Sequence, residues 1–117
     1  MTVLLVLLGG AVGAPARYVT DVMVQRLHTT AFPWGTWTVN VAGSFVLGVV
    51  VATGTGWVTT LVGTGFCGAL TTFSTFGYET VRLAEEGETA TASAYVAGSV
   101  AVGLAAAALG WAVASAF

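Results

Sequence analysis

Apolar residues fill four long stretches of the chain, and short polar or turn-forming groups separate them. The first stretch covers about 3–26, and the break after it is marked by His28, Thr29, Thr30 and Pro33. The second covers about 34–52 and ends in the turn Thr53, Gly54, Thr55, Gly56. The third, about 57–83, is followed by the acidic turn Glu85, Glu86, Gly87, Glu88, and the fourth covers about 89–116. A helix crosses the hydrocarbon core of a bilayer in about 20 apolar residues, so four crossings fit this chain and six do not. Trp34, Trp37 and Trp57 stand at the starts of stretches, where amphipathic rings favour the membrane interface. The pattern predicts an all-α membrane protein, a single domain of four transmembrane helices.

The opening run, Met1 to Ala16, has the apolar character of a secretory signal but no basic segment ahead of it. Its apolar pattern resumes through Tyr18, Val19, Val22, Met23 and Val24, so it is expected to be the first membrane helix.

Composition sharpens this picture. Hydrophobic residues make up 56% of the 117 and charged residues 7%, where soluble domains carry about 25% charge. So little chain lies outside the spans that a soluble catalytic domain is excluded, and the function is expected in the membrane and not enzymatic. Three arginines against five acids give a net charge of -2, which excludes an electrostatic footprint for nucleic acid. The single cysteine, Cys67, cannot form an intrachain disulfide and reads as a small buried hydrophobe. Four spans put both chain ends on one side and the first and third loops on the other. All three arginines lie toward those loops, a bias small enough to orient the chain weakly. Insertion both ways, and hence an antiparallel homodimer, is compatible with that bias.

Within the spans, 16 glycines are about twice the usual share of ~7%, as close helix packing in a bilayer requires. Gly9, Gly13 and Arg17 share one face of the first span. Thr36, Asn40, Ser44 and Gly48 form a stripe on the second, and Thr91, Tyr95, Ser99 and Gly103 form one on the fourth. Helix packing, with hydroxyls bonded back to carbonyls, accounts for most of these positions. It accounts less well for Asn40, whose amide has two donor hydrogens to satisfy in a place where polar groups tend to be functional. Arg17 and Glu79 are the ionisable groups placed most like intramembrane ones. Arg17 reads either as an anchor near its loop or as an electropositive vestibule for an anion. Glu79 reads as a partner acid rather than a proton carrier.

The third stretch carries the sharpest signal. Thr71, Thr72, Ser74 and Thr75 place four hydroxyls in five residues between Gly68 and Gly77. Such a cluster lets a membrane helix unwind, and unwound backbone at that depth is tolerated only where it is buried in protein or lines a cavity. Freed carbonyls there can coordinate a cation. A break in the third helix is therefore expected. Phe73 and Phe76 flank it three residues apart. A phenyl ring is positive at its edge, so edges turned to a pathway attract a small anion weakly enough to release it.

In these residues the chain resembles the Fluc (CrcB-type) fluoride channels. The likeness covers nearly the whole chain: GGAVGAPARY at Gly9 to Tyr18, GTWTVNVAGSFVLG at Gly35 to Gly48, GFCGALTTFSTFGYE at Gly65 to Glu79, and Tyr95 with Ser99. Ala69 stands where many relatives carry a second glycine. The resemblance implies a dual-topology homodimer with two antiparallel pores that passively conducts fluoride and exports it from the cytoplasm across a prokaryotic plasma membrane. It also implies a central structural sodium ion, Na+, held by the main-chain carbonyls of Gly68 and Thr71 of each subunit. The fluoride pathway it implies comprises Asn40, Phe73, Ser74, Thr75, Phe76, Tyr95 and Ser99, with Arg17 in a vestibule or structural role. Composition alone does not select fluoride. Two other readings stay open on the residues: a small proton-coupled multidrug-type exporter, which this first span serves poorly because it holds Arg17 and no glutamate, and a non-transporting membrane subunit.

Overall fold

The computed structural model describes residues 1–27, 32–54 and 56–116. His28, Thr29 and Thr30, which mark the first expected turn, and Thr55 of the second lie outside the described residues. All regular structure among the described residues is helical: α1 (Thr2–Arg26), α2 (Trp34–Thr53), α3 (Thr59–Cys67), α4 (Phe73–Glu85) and α5 (Thr89–Ser115). Three of them, α1, α2 and α5, are long and apolar enough to cross a membrane. The third apolar stretch holds α3 and α4.

The helices form by different local means. α1 carries Pro15 in its interior, a residue that membrane helices accept because neighbouring groups re-satisfy the freed carbonyl. α3 is a wide π-helical coil in which the N–H of Gly68 reaches back five residues to the carbonyl of Gly63, and it runs into one α-helical turn, Gly68–Leu70. α4 starts on Thr72, whose side chain accepts the N–H of Thr75, the capping bond that serine and threonine supply to the first turn of a helix. It ends on Gly87, whose φ of 81° lies in the left-handed region. Beyond it the Glu88 N–H bonds the Leu83 carbonyl (2.8 Å) and the Gly87 N–H bonds the Ala84 carbonyl (3.2 Å). This pair of bonds satisfies carbonyls that the helix end leaves over.

Packing is backbone against backbone. A Cβ added to Gly9 of α1 would overlap the Leu61 carbonyl oxygen and come within 2.7 Å of the Phe66 nitrogen, and one on Gly65 would come within 2.9 Å of the Val6 oxygen. On the other side, a Cβ on Gly48 of α2 would overlap the Ala107 carbonyl oxygen of α5, and one on Gly110 would overlap that of Phe45. Between lipid-solvated helices such close approach replaces the hydrophobic drive that soluble proteins use.

The buried apolar core is correspondingly small: Val39, Val50, Cys67, Leu70, Leu83, Ala92 and Tyr95. Leu83, Ala92 and Tyr95 form one cluster of it, flanked by Phe32, Trp37 and Phe76. Large apolar side chains such as Leu7, Val12, Val19 and Met23 on α1 and Leu104, Leu109 and Trp111 on α5 are exposed. The molecule measures 46 Å along its longest axis, close to the ~40–45 Å of a bilayer with its headgroups.

Candidate functional site

Between Leu70 and Phe73 the backbone leaves the helical region: Thr71 has φ −79°, ψ 159° and Thr72 has φ −149°, ψ 125°. Two extended residues in a mostly apolar molecule need partners for their polar backbone, and α2 supplies them. The Asn40 Oδ1 accepts the N–H of Thr72 at 2.8 Å, and the Asn40 Nδ2 donates to the Thr72 carbonyl at 3.2 Å. Thr72 also works through its hydroxyl. Its Oγ1 accepts the Thr75 N–H at 3.2 Å and donates to Thr75 Oγ1 at 3.1 Å, with Ser74 Oγ 3.4 Å away.

These bonds divert donors from the helix. In an unbroken helix the N–H of residue i serves the carbonyl of i−4, so the Thr72 N–H would serve Gly68 and the Thr75 N–H would serve Thr71. Here the first goes to Asn40 and the second to the Thr72 hydroxyl. The carbonyls of Gly68 and Thr71 are thus deprived of their helical donors. The Thr71 side chain turns back along the helix and donates to the Cys67 carbonyl at 2.8 Å.

Two cavities meet at Thr72. The larger, about 410 Å³, is lined by Asn40, Gly43, Ser44, Leu47, Gly63, Cys67, Gly68, Thr71, Thr72, Phe73, Phe76, Ser99 and Val100. The smaller, about 210 Å³, is lined by Arg17, Tyr18, Asp21, Thr36, Val39, Thr72 and Thr75. The predicted residues are therefore not all gathered in one place. Asn40, Phe73, Phe76, Ser99, Gly68 and Thr71 share the first cavity; Arg17 and Thr75 belong to the second; Ser74 is exposed beside the Thr72 hydroxyl.

Phe73 is 84% exposed, whereas Phe76 is partly buried. Their ring centroids lie 6.0 Å apart. From Phe76 the aromatic contacts continue to Tyr95 (5.0 Å), from Tyr95 edge-on to Phe32 (5.4 Å), and from Phe32 to Trp34 (4.4 Å) and on to Trp37 (5.8 Å). Tyr95 is fully buried. Its hydroxyl lies in the electrostatic neighbourhood of Glu79 and Thr36 but forms no well-shaped hydrogen bond, and neither does the buried Ser99 Oγ. Glu79 is held from α2, where Thr36 Oγ1 donates to its Oε1 at 2.6 Å.

Three residues outside the predicted set do structural work here. Thr72 caps α4 and bonds Asn40 through its backbone, and its place directly ahead of Phe73 is a helix-start signal legible in sequence. Thr36, 3% exposed, carries the hydroxyl on Glu79. Asp21 lies against Gly35, where an added Cβ would overlap Asp21 Oδ1; a lone acid near a span end has no motif to reveal it. Among the described residues no group of three His, Cys, Asp or Glu side chains is placed to hold a metal.

Residues 4–111 match the family model described as CrcB-like protein, Camphor Resistance (CrcB). The chain is 56% identical to the fluoride-specific ion channel FluC 1 of Frankia casuarinae, over 99% of this chain and 98% of that protein. It is 53% identical to FluC 1 of Streptomyces avermitilis, over 92% of this chain and 90% of that protein. With the fluoride-specific ion channel FluC of Acidobacterium capsulatum it shares 43% identity over 94% and 93%.

Proposed function

The chain belongs to the CrcB family, and from that premise we propose that it is a passive fluoride-selective ion channel that lets cytoplasmic fluoride leave down its electrochemical gradient. The observation that carries the reading is likeness across nearly the full length to proteins named as fluoride-specific ion channels. The site chemistry supports it. Fluoride holds its hydration shell tightly, so a pore must replace water with donors that do not trap the ion. The first cavity offers the Asn40 amide, the Ser99 hydroxyl and the rings of Phe73 and Phe76, all of them uncharged. One Asn40 N–H is committed to the Thr72 carbonyl, and the amide carries a second. The Ser99 hydroxyl, buried without a partner, lines this cavity and is a donor available to a desolvated anion, since leaving it unmatched costs about 1–3 kcal/mol; the Tyr95 hydroxyl lies beside Glu79 and Thr36. Ser74 and Thr75 continue the hydroxyl track, Glu79 is its bonded acid, and Arg17 lines the vestibule.

In this reading α3 and α4 together make the third membrane crossing, one helix interrupted at Thr71 and Thr72, and the chain is a single four-span domain. Two copies insert in opposite directions and pair as a homodimer with two antiparallel pores in a bacterial plasma membrane. The exposed Gly68 and Phe73 suit the face that meets the second copy. A structural sodium ion suits the same face. Its donors would be the carbonyls of Gly68 and Thr71, whose helical N–H partners are committed elsewhere, and hard cations prefer such oxygen ligands. The ion would supply a positive centre joining the two subunits; the chain's own part is to hold the extended backbone open.

Fluoride efflux from liposomes holding the purified protein, read by a fluoride electrode and compared with chloride efflux, tests the proposal. Rapid fluoride efflux that stops when counter-ion movement is blocked is expected. Efflux that runs only with a proton gradient would favour coupled exchange, and vesicles as tight as empty ones would end the channel reading.

A further inference from the structure

The second cavity is lined by two side chains of opposite charge, Arg17 and Asp21, and the reading above uses only the cation. We infer that Asp21 tunes how tightly the proposed channel holds its anion: its carboxylate offsets the pull of Arg17 so that a mobile anion passes the mouth without lodging there. The inference rests on the fluoride-channel reading and deepens it.

Asp21 follows Arg17 by four residues on α1, so both sit on one face of the helix. Around them the cavity wall is neutral and hydroxyl-bearing, with Thr36, Thr72 and Thr75. The carboxylate is fixed in place. It lies against Gly35 of α2, where an added Cβ would overlap Oδ1 and come within 2.9 Å of Asp21 Cα and Cγ, so the glycine is what admits the acid between the two helices. Among the described residues no ion pair joins Asp21 to Arg17. The two charges therefore act on the cavity as a separated pair, and the carboxylate lowers the local potential without closing over the guanidinium.

The physical need follows from dielectric. Attraction between unit charges grows several-fold on moving from bulk water to a partly buried site, and an ion pathway works only if binding is weak enough for the ion to leave. An unaccompanied guanidinium in a cavity that abuts the first at Thr72 would hold the anion it attracts. Asp21 supplies the opposing charge without competing as a diffusible ion.

The test uses the full-length dimer in liposomes, with fluoride efflux measured against fluoride concentration for the unaltered chain and its variants. Asp21→Asn keeps the shape and removes the charge. It should lower the half-saturating fluoride concentration by about fivefold, the factor that ~1 kcal/mol of attraction at water's dielectric gives, and should slow efflux at saturation. The Arg17→Gln/Asp21→Asn double variant should half-saturate at a higher fluoride concentration than Asp21→Asn alone. An unchanged dependence in Asp21→Asn overturns the inference while leaving the channel reading intact. Should that variant not fold, Asp21→Ser removes the same charge with a smaller side chain and should lower the half-saturating concentration likewise; no change there overturns the inference too. Absence of efflux from the unaltered chain defeats the channel reading and this inference with it.

Discussion

The Asn40 carboxamide makes both of its inter-helix bonds to one residue, accepting the Thr72 N–H at 2.8 Å and donating to the Thr72 carbonyl at 3.2 Å. It reproduces the pairing that a neighbouring strand would give, and so substitutes for the helix at a point where the helix is absent. The same amide lines the first cavity. Asn40→Ala should therefore lose fluoride flux and stability together, since two backbone groups lose partners at about 1–3 kcal/mol each. Asn40→Asp should keep the bond from the Thr72 N–H and lose the other, and its charge should stop flux with a smaller drop in thermal midpoint. Electrode efflux and thermal unfolding in detergent, run on both variants, check this.

Phe76 touches Phe73 on one side and Tyr95 on the other. Phe76→Ile fills similar space without a ring edge, so fluoride efflux should fall by about tenfold or more, equivalent to ~1.4 kcal/mol of barrier, while the size-exclusion profile stays that of the unaltered protein. Unchanged efflux from a folded Phe76→Ile variant would remove the aromatic role.

Thr72→Val removes the hydroxyl that caps α4 but leaves the Asn40 bonds to the backbone. A lost cap costs about 1 kcal/mol, so the thermal midpoint should fall modestly and Thr72→Ser should restore it. A valine variant as stable as the parent would show that the cap contributes nothing measurable.

Thr71 meets the proposed sodium ion through its carbonyl, while its hydroxyl bonds Cys67. Thr71→Ser should then leave flux unchanged, and exchange of sodium for a large organic cation should lower it. Flux indifferent to sodium in both proteins would count against the ion.

Gly9→Ala tests the contact between α1 and α3. The new Cβ would overlap backbone atoms of Leu61 and Phe66, which cannot swing aside as a side chain would. Overpacking of this kind costs about 1–3 kcal/mol or more, so the yield of folded protein in detergent should fall sharply. Gly68→Ala, where an added Cβ meets nothing within 4 Å, should fold normally as a single chain.

The helical class was legible because apolar stretches of that length admit little else, and the glycine stripes of α1 foretell a close neighbour. The hydroxyl cluster at Thr71 to Thr75 marked the stretch where α3 and α4 part, yet the agent holding it, the Thr72 backbone on Asn40, joins residues 32 positions apart and leaves no local trace. The π-helical form of α3 was equally hidden. A bond reaching back five residues in place of four alters no apolar pattern, and Gly63 and Gly65 read as packing residues either way. Asp21 escaped notice because its significance lies in Gly35, on another helix, having no side chain. The resemblance set Thr75 in one pathway with Phe76 and Ser99 and gave Arg17 a separate vestibule or structural role; Thr75 lines the cavity that holds Arg17, and Phe76 lines the other.

The relay of touching rings from Phe73 through Phe76, Tyr95 and Phe32 to Trp34 equips the chain with an optical witness. Indole emission responds to its immediate surroundings, so a shift of Phe76 conveyed along that relay would alter the glow of Trp34 with no dye attached. Replacing Trp57 and Trp111, both exposed, would dim the background and let spectroscopy follow the site while ions move.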